Sequence, residues 1–261
     1  MNVAPIAMNT FREAVRDKLL YLLLVLALLL ILVSRAIGWV SYGGEHKIQT
    51  DLGLFSVWLF SALISIFIGT GMIYKEVDKR TLYTILSKPI HRWEFILGKY
   101  CGLLLTTFVS WAILSLSVLA YLSLAGAPVS MALVQALALS FCEMMVVTAL
   151  ALFFSAVSTP LLSAIFTCMV FGIGQLTKWI VDLGCLSRGR LPFLETILNG
   201  VYLVLPNLHN FNVRQTAVQV AERGMSAAVP AGEMWAVVCY GLAYTAALLL
   251  ATILVFRRRN F

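Results

Sequence analysis

Charge is scarce in this chain: Asp, Glu, Lys and Arg make up 12% of 261 residues, against about 25% in a typical soluble domain. Hydrophobic residues make up 61%, so a water-soluble single domain is excluded as the first reading. Cysteine is sparse as well. Cys101, Cys142, Cys168, Cys185 and Cys239 are odd in number, form no CxxC pair and, except Cys185, fall inside apolar blocks, which argues against a disulfide framework or a zinc site. The three histidines, His46, His91 and His209, stand alone in separate segments, with no HExxH, no G-x-S-x-G and no paired carboxylates at one depth. An intramembrane hydrolase finds little support in that set. The phosphate-loop pattern G-x-x-x-x-G-K-[ST] is missing too, so the chain has no recognisable means of binding ATP itself.

What is present is apolar sequence gathered into blocks long enough to cross about 30 Å of hydrocarbon. Six candidate spans follow: 19–37, 54–74, 97–124, 131–157, 161–181 and 235–256. The first block could pass for the apolar region of a secretory signal, but no A-x-A cleavage pattern follows it and five more blocks do. Residues 1–18 place Met8, Phe11, Val15 and Leu19 at near-helical spacing, with Asn9, Arg12, Glu13 and Arg16 on the other side. This pattern predicts an amphipathic helix lying in the membrane interface. An apolar stretch at 193–205 contains Glu195 and Asn199 and is flanked by Pro192 and Pro206; it is too short to span and fits a re-entrant or surface helix.

Basic residues fix the expected orientation. With six spans, 12 of the 19 Lys and Arg residues fall on the side that holds both termini, among them Lys75, Lys79, Arg80, Lys88, Arg92 and Arg257 to Arg259. Their excess over acidic residues accounts for the whole formal charge of +7. The positive-inside rule makes that side cytoplasmic, in a multi-pass protein of the cell membrane. Membrane orientation accounts for these cations, which are too few and too dispersed for a nucleic-acid groove.

The segment 75–96 is the most informative stretch between spans. Leu82, Ile85 and Leu86 fall at i, i+3 and i+4, and Pro89 disfavours helical geometry at Lys88, so a helix of about two turns ends there. Such a helix between two spans suits a cytoplasmic docking partner; a solvated basic loop touching lipid headgroups fits the same spacing.

The order of elements here resembles the first cytoplasmic loop of ABC-2 type transporter permeases. An acidic and basic stretch, Glu76 to Arg80, leads to Thr81, Leu82, Tyr83, Thr84, Ile85 and Leu86, then Ser87-Lys88-Pro89-Ile90, the pair Arg92-Trp93 and Gly98-Lys99. The family's commonest form has Gly before the Thr, where this chain has Arg80. The resemblance covers nearly the whole chain. It implies a single all-α transmembrane domain over 1–261, with six transmembrane helices, an elbow helix at 1–18, a coupling segment at 75–96 and an extracytoplasmic segment at 182–234. The stretch from Leu205 to Val213 is similar to the family's segment before the last span, where re-entrant helices lie.

By the same resemblance, the residues Thr81 to Leu86 would seat in a cytoplasmic ABC ATPase subunit, with ATP and Mg on that partner and no cofactor in this chain. A second permease copy or paralogue would complete the transporter, and export is the expected direction. A branch similar to copper-processing and nitrous-oxide-reductase maturation permeases would instead act on an extracytoplasmic partner without moving a solute.

Polar residues within the spans form a second constellation. Glu143 lies near the middle of the fourth span with no basic residue within a turn. An ionised carboxylate there costs at least ~2.5 kcal/mol, so the residue must face a cavity or partner helix, or be protonated. It is a candidate pathway residue, a hydrogen-bonded residue at a helix or dimer seam, or the proton site of an ion-coupled secondary transporter, although the internal repeat expected of the last is not evident. Cys142 and Met145 share one helix face beside it; as soft ligands they admit a thiophilic metal, and as apolar side chains they are ordinary filling. Lys178 and Asp182, with Gln175 one turn earlier, read as an interfacial anchor. Ser61, Ser65 and Gly69, and likewise Ala132, Ala136 and Ser140, form small-residue stripes suited to close helix packing.

Overall fold

The computed structural model describes residues 3–40, 45–78, 92–127, 129–178, 200, 205–223 and 230–258. Among them every regular element is helical: α1 (Val3–Val15), α2 (Lys18–Val40), α3 (Glu45–Asp78), α4 (Arg92–Leu124), α5 (Met131–Val157), α6 (Pro160–Gln175), a 3-10 turn at Leu208–Phe211, α7 (Arg214–Arg223) and α8 (Ala231–Arg258). Five stretches are long and apolar enough to cross a membrane: Lys18–Gly38, His46–Gly71, Trp93–Leu124, Met131–Val157 and Gly232–Arg257. The helix Pro160–Gln175 is apolar but shorter.

Local chemistry sets the helix ends. Asp17 separates α1 from α2: its N–H bonds to the Ala14 carbonyl at 3.0 Å, and its carboxylate accepts the Leu19 N–H at 3.1 Å, capping α2. Ser130 caps α5 by accepting the Leu133 N–H, and the Ser158 N–H closes the far end on the Phe154 carbonyl. Pro160 then opens α6, where its missing N–H costs nothing.

The core is centred on α5, whose Met144, Val146, Val147, Ala149 and Ala151 are fully buried. It packs against α3, α4, α6 and α8, while α2 covers the opposite side of α3. The outer helices keep apolar faces free, with Leu22, Leu29 and Leu32 on α2 and Leu242, Leu250 and Leu254 on α8 at least half exposed. Such faces are stable against hydrocarbon or another apolar protein surface.

The amphipathic helix predicted at 1–18 is present, but a different face packs. Thr10 and Ala14 are buried while Met8 is exposed. Close approach decides this. A Cβ on Gly102 would stand 2.5 Å from the Ala7 carbonyl oxygen, and one on Gly98 would stand 2.8 Å from the Ile6 side chain. Two glycines four apart open a trough on α4 that admits the α1 backbone, leaving Met8 exposed.

Several expected boundaries shift, among them the start of the third span, expected at 97, where the helix begins at Arg92. The second span was expected to begin at 54, but α3 begins at Glu45, and Gln49 and Thr50 are buried there despite their polarity. Within the block expected over 161–181, α6 is interrupted after Gln175 by a turn in which the Leu176 N–H bonds to the Ile173 carbonyl at 2.9 Å; Thr177 and Lys178 are helical again, and 179–181 lie outside the described residues. Tertiary contact explains the stop: a Cβ on Gly174 would lie 2.9 Å from the Pro206 carbonyl oxygen and from Leu208, so the chain at 206–208 crosses directly over this end of α6. The last span is longer than its expected 235–256, running from Ala231 to Arg258.

Candidate functional site

Glu143 is the centre of a polar cluster at that end of α6. It lies twelve residues into α5 and is completely buried. The Trp58 indole N–H from α3 is shared between its two oxygens, at 3.0 Å from Oε2 and 3.2 Å from Oε1. The Gln175 side-chain amide, on the last residue of α6, donates to Oε1. Trp58 is itself held between the rings of Phe55 and Phe171, at 5.9 and 5.3 Å between centroids. Three helices therefore meet at one carboxylate, and the aromatic stack fixes the donor that faces it.

The chain at 205–214 closes the neighbouring space. Thr177 donates to the Asn207 side-chain oxygen at 2.5 Å, and the Asn207 N–H reaches the Tyr240 hydroxyl of α8 at 2.9 Å. Leu208 and Phe211 are buried, and a Cβ on Gly241 would lie 2.9 Å from the Phe211 ring. Arg214 pairs with Asp51 of α3 at 3.1 Å and lies 5.2 Å from the Phe55 ring centroid. At the same turn, partial burial and the positive charge of Lys178 lower the pKa of His209 below its ordinary value of 6.5.

Between α3, α5 and residues 211–214 is a small cavity open to solvent, with room inside for about one water molecule. Leu54, Trp58, Leu137 and Phe211 give it apolar walls, and Ser140, Glu143, Asn212 and Arg214 add polar groups. Ser140 is already engaged, accepting the Trp111 indole N–H at 3.1 Å.

The sequence singled out Glu143 but not its partners. Gln175 had been grouped with Lys178 and Asp182, whereas it turns inward while Lys178 is exposed and Asp182 lies outside the described residues. Nothing in the local sequence marks Trp58, which is 85 positions away. Cys142 packs with the apolar cluster around Leu208 and Phe211. The serine stripe faces inward, with Ser61 and Ser65 buried, and a Cβ on Gly69 would approach Ala151 to 2.8 Å. The coupling residues Thr81, Leu82, Tyr83, Thr84, Ile85 and Leu86, together with the stretch 193–205 apart from Gly200 and Leu205, lie outside the described residues.

No curated protein matches this chain. The family model described as ABC-2 family transporter protein matches residues 4–261, from α1 through the last helix. That match, over a multi-pass bundle of apolar helices, places the chain in the ABC-2 transporter family.

Proposed function

We propose that this chain is the permease subunit of an ATP-driven ABC-2 exporter, moved by ATP binding and hydrolysis on a separate cytoplasmic ABC ATPase. The observation that carries this reading is the family match across 4–261. The missing phosphate loop agrees with it, since the nucleotide must then be bound by another polypeptide.

In this mechanism both termini are cytoplasmic, α1 serves as the elbow helix, and α6 with the chain beyond it completes a sixth crossing. The segment 205–213 is the inner part of a re-entrant element on the outer side. Closure of two ATPases pushes on Leu82 to Leu86. The rigid attachment of α1 to α4 carries the motion into the bundle, and a seam with a second permease copy or paralogue reorients. The specific substrate remains a matter of cavity shape, not of a linear motif.

Co-purification with ATPase measurement tests the assignment. A nucleotide-hydrolysing subunit is expected to accompany the wild-type chain and to be recovered at least tenfold less with Leu82→Asp and Ile85→Asp together. Unchanged recovery removes the coupling role. Transport driven by a pH gradient without ATP, abolished in Glu143→Gln, replaces the reading with an ion-coupled secondary transporter.

A further inference from the structure

We infer that α1 and the start of α2 form a binding site for an anionic phospholipid: Arg12, Arg16 and Lys18 hold its phosphate, and the exposed face of α2 that begins at Lys18 carries an acyl chain. Arg12 and Arg16 are exposed and stand one turn apart on α1, opposite Ile6 and Thr10, which pack at Gly98 and Gly102. Lys18, exposed as well, opens α2 on the far side of the Asp17 turn, two residues from Arg16. Among the described residues none of these three cations has an ion-pair partner. Of the neighbouring acids, Asp17 caps α2 with a carboxylate oxygen, and Glu13 is turned about 100° around α1 from Arg12. Ala14 and Leu20 share one apolar cluster with Phe95 and Phe256, which brings the exposed Arg257 of α8 to the same end of the bundle.

The two kinds of group on this surface select its occupant. Lys18, Leu22, Val25 and Leu29 fall at i, i+4, i+7 and i+11 on one face of α2, and the three apolar residues are at least half exposed. A free phosphate ion would meet the cations and leave the apolar stripe bare. A phospholipid matches both: its phosphodiester accepts from the guanidinium and ammonium N–H groups, and its tail lies along the stripe. Three cations around one phosphate leave positive charge over, so a headgroup without an ammonium of its own fits better than phosphatidylcholine.

This inference goes beyond the permease reading and needs only that the chain spans a bilayer. For the test, the chain is purified, with any subunits that accompany it, from nanodiscs of equal parts phosphatidylglycerol and phosphatidylcholine, and the lipids that stay bound in detergent are counted by mass spectrometry. Each cation beside an acidic lipid favours it roughly fivefold, so phosphatidylglycerol is expected to exceed phosphatidylcholine at least about tenfold. Arg12→Gln, Arg16→Gln and Lys18→Gln together are expected to bring the two lipids back to parity, while Lys178→Gln, which removes an exposed cation at the other end, leaves the enrichment unchanged. The wild-type ratio decides the matter if the triple variant does not fold. The inference is overturned if wild type retains both lipids equally, if the folded triple variant keeps the enrichment, or if Lys178→Gln abolishes it too. It is equally overturned if excess inorganic phosphate displaces the phosphatidylglycerol, or if enrichment appears only on chain stripped of accompanying subunits, which would make this surface a protein interface.

Discussion

The two ends of the bundle are held together by different chemistry. At the end that carries α1 and the last turn of α8 the contacts are close and largely apolar, with Glu94 and Lys99 buried among them and Lys99 lying 5.3 Å from the Phe95 ring centroid. There α1 sits in the trough at Gly98 and Gly102, Phe95 stacks on Phe256 at 5.8 Å, and Ala14, Ile64, Ile96, Leu103 and Leu152 form one apolar cluster. At the other end the helices meet through Trp58, Glu143 and Gln175, through Thr177 and Asn207, and through Arg214 and Asp51, beside a cavity. Close packing of small residues has one good arrangement, because any separation loses many contacts at once. Polar contacts around a cavity can be exchanged for others at smaller cost. The first end is joined mainly by close packing, the second by hydrogen bonds and an ion pair between side chains of different helices.

The comparison breaks most visibly if the polar end loses its donors. Trp58→Phe with Gln175→Leu keeps the apolar volume but leaves a buried carboxylate without partners, and about 3 kcal/mol of stability should be lost. Thermal unfolding in detergent measures it, and the same two changes in a Glu143→Leu background should cost under ~1 kcal/mol, since no buried carboxyl group is then left without partners. If both backgrounds lose equally, packing and not the carboxylate holds that end.

At the first end, Gly102→Val should cost about 2 kcal/mol by overpacking and release α1 from α4. Limited proteolysis then cuts within residues 3–15 at least tenfold faster than in wild type, and unchanged protection would mean the trough is not what holds α1. The smallest effect concerns acid. The lowered His209 pKa means that the folded chain prefers the neutral ring, so stability falls as pH drops below the ordinary value of 6.5 and this group contributes no pH dependence above it. Melting temperatures followed from pH 8 to pH 5 should show a drop that is absent in His209→Gln.

How much of this was legible from the sequence depends on the range of the contact that decides each feature. The helix α5 matches its expected bounds, because Ser130 and the Ser158 to Pro160 turn lie next to the ends they set. The start of α3 was not legible: His46, Lys47, Gln49 and Asp51 look like a polar loop, and only the packing of Gln49 against Gly38 of α2 shows why a helix forms there. The stop of α6 depends in the same way on Pro206 and Leu208, some thirty positions on. Glu143 could be found alone because a carboxylate within an apolar block is costly wherever it points. Its donors could not, since the pairing of Trp58 and Gln175 with it exists only once three helices have assembled.

The brevity of α6 has a consequence of its own. Sixteen residues rise about 24 Å at 1.5 Å each, some 6 Å less than the ~30 Å of a bilayer's oily interior. Just beyond its last residue, the Thr177 hydroxyl bonds to the Asn207 side chain, and the Asn207 N–H bonds to the Tyr240 hydroxyl.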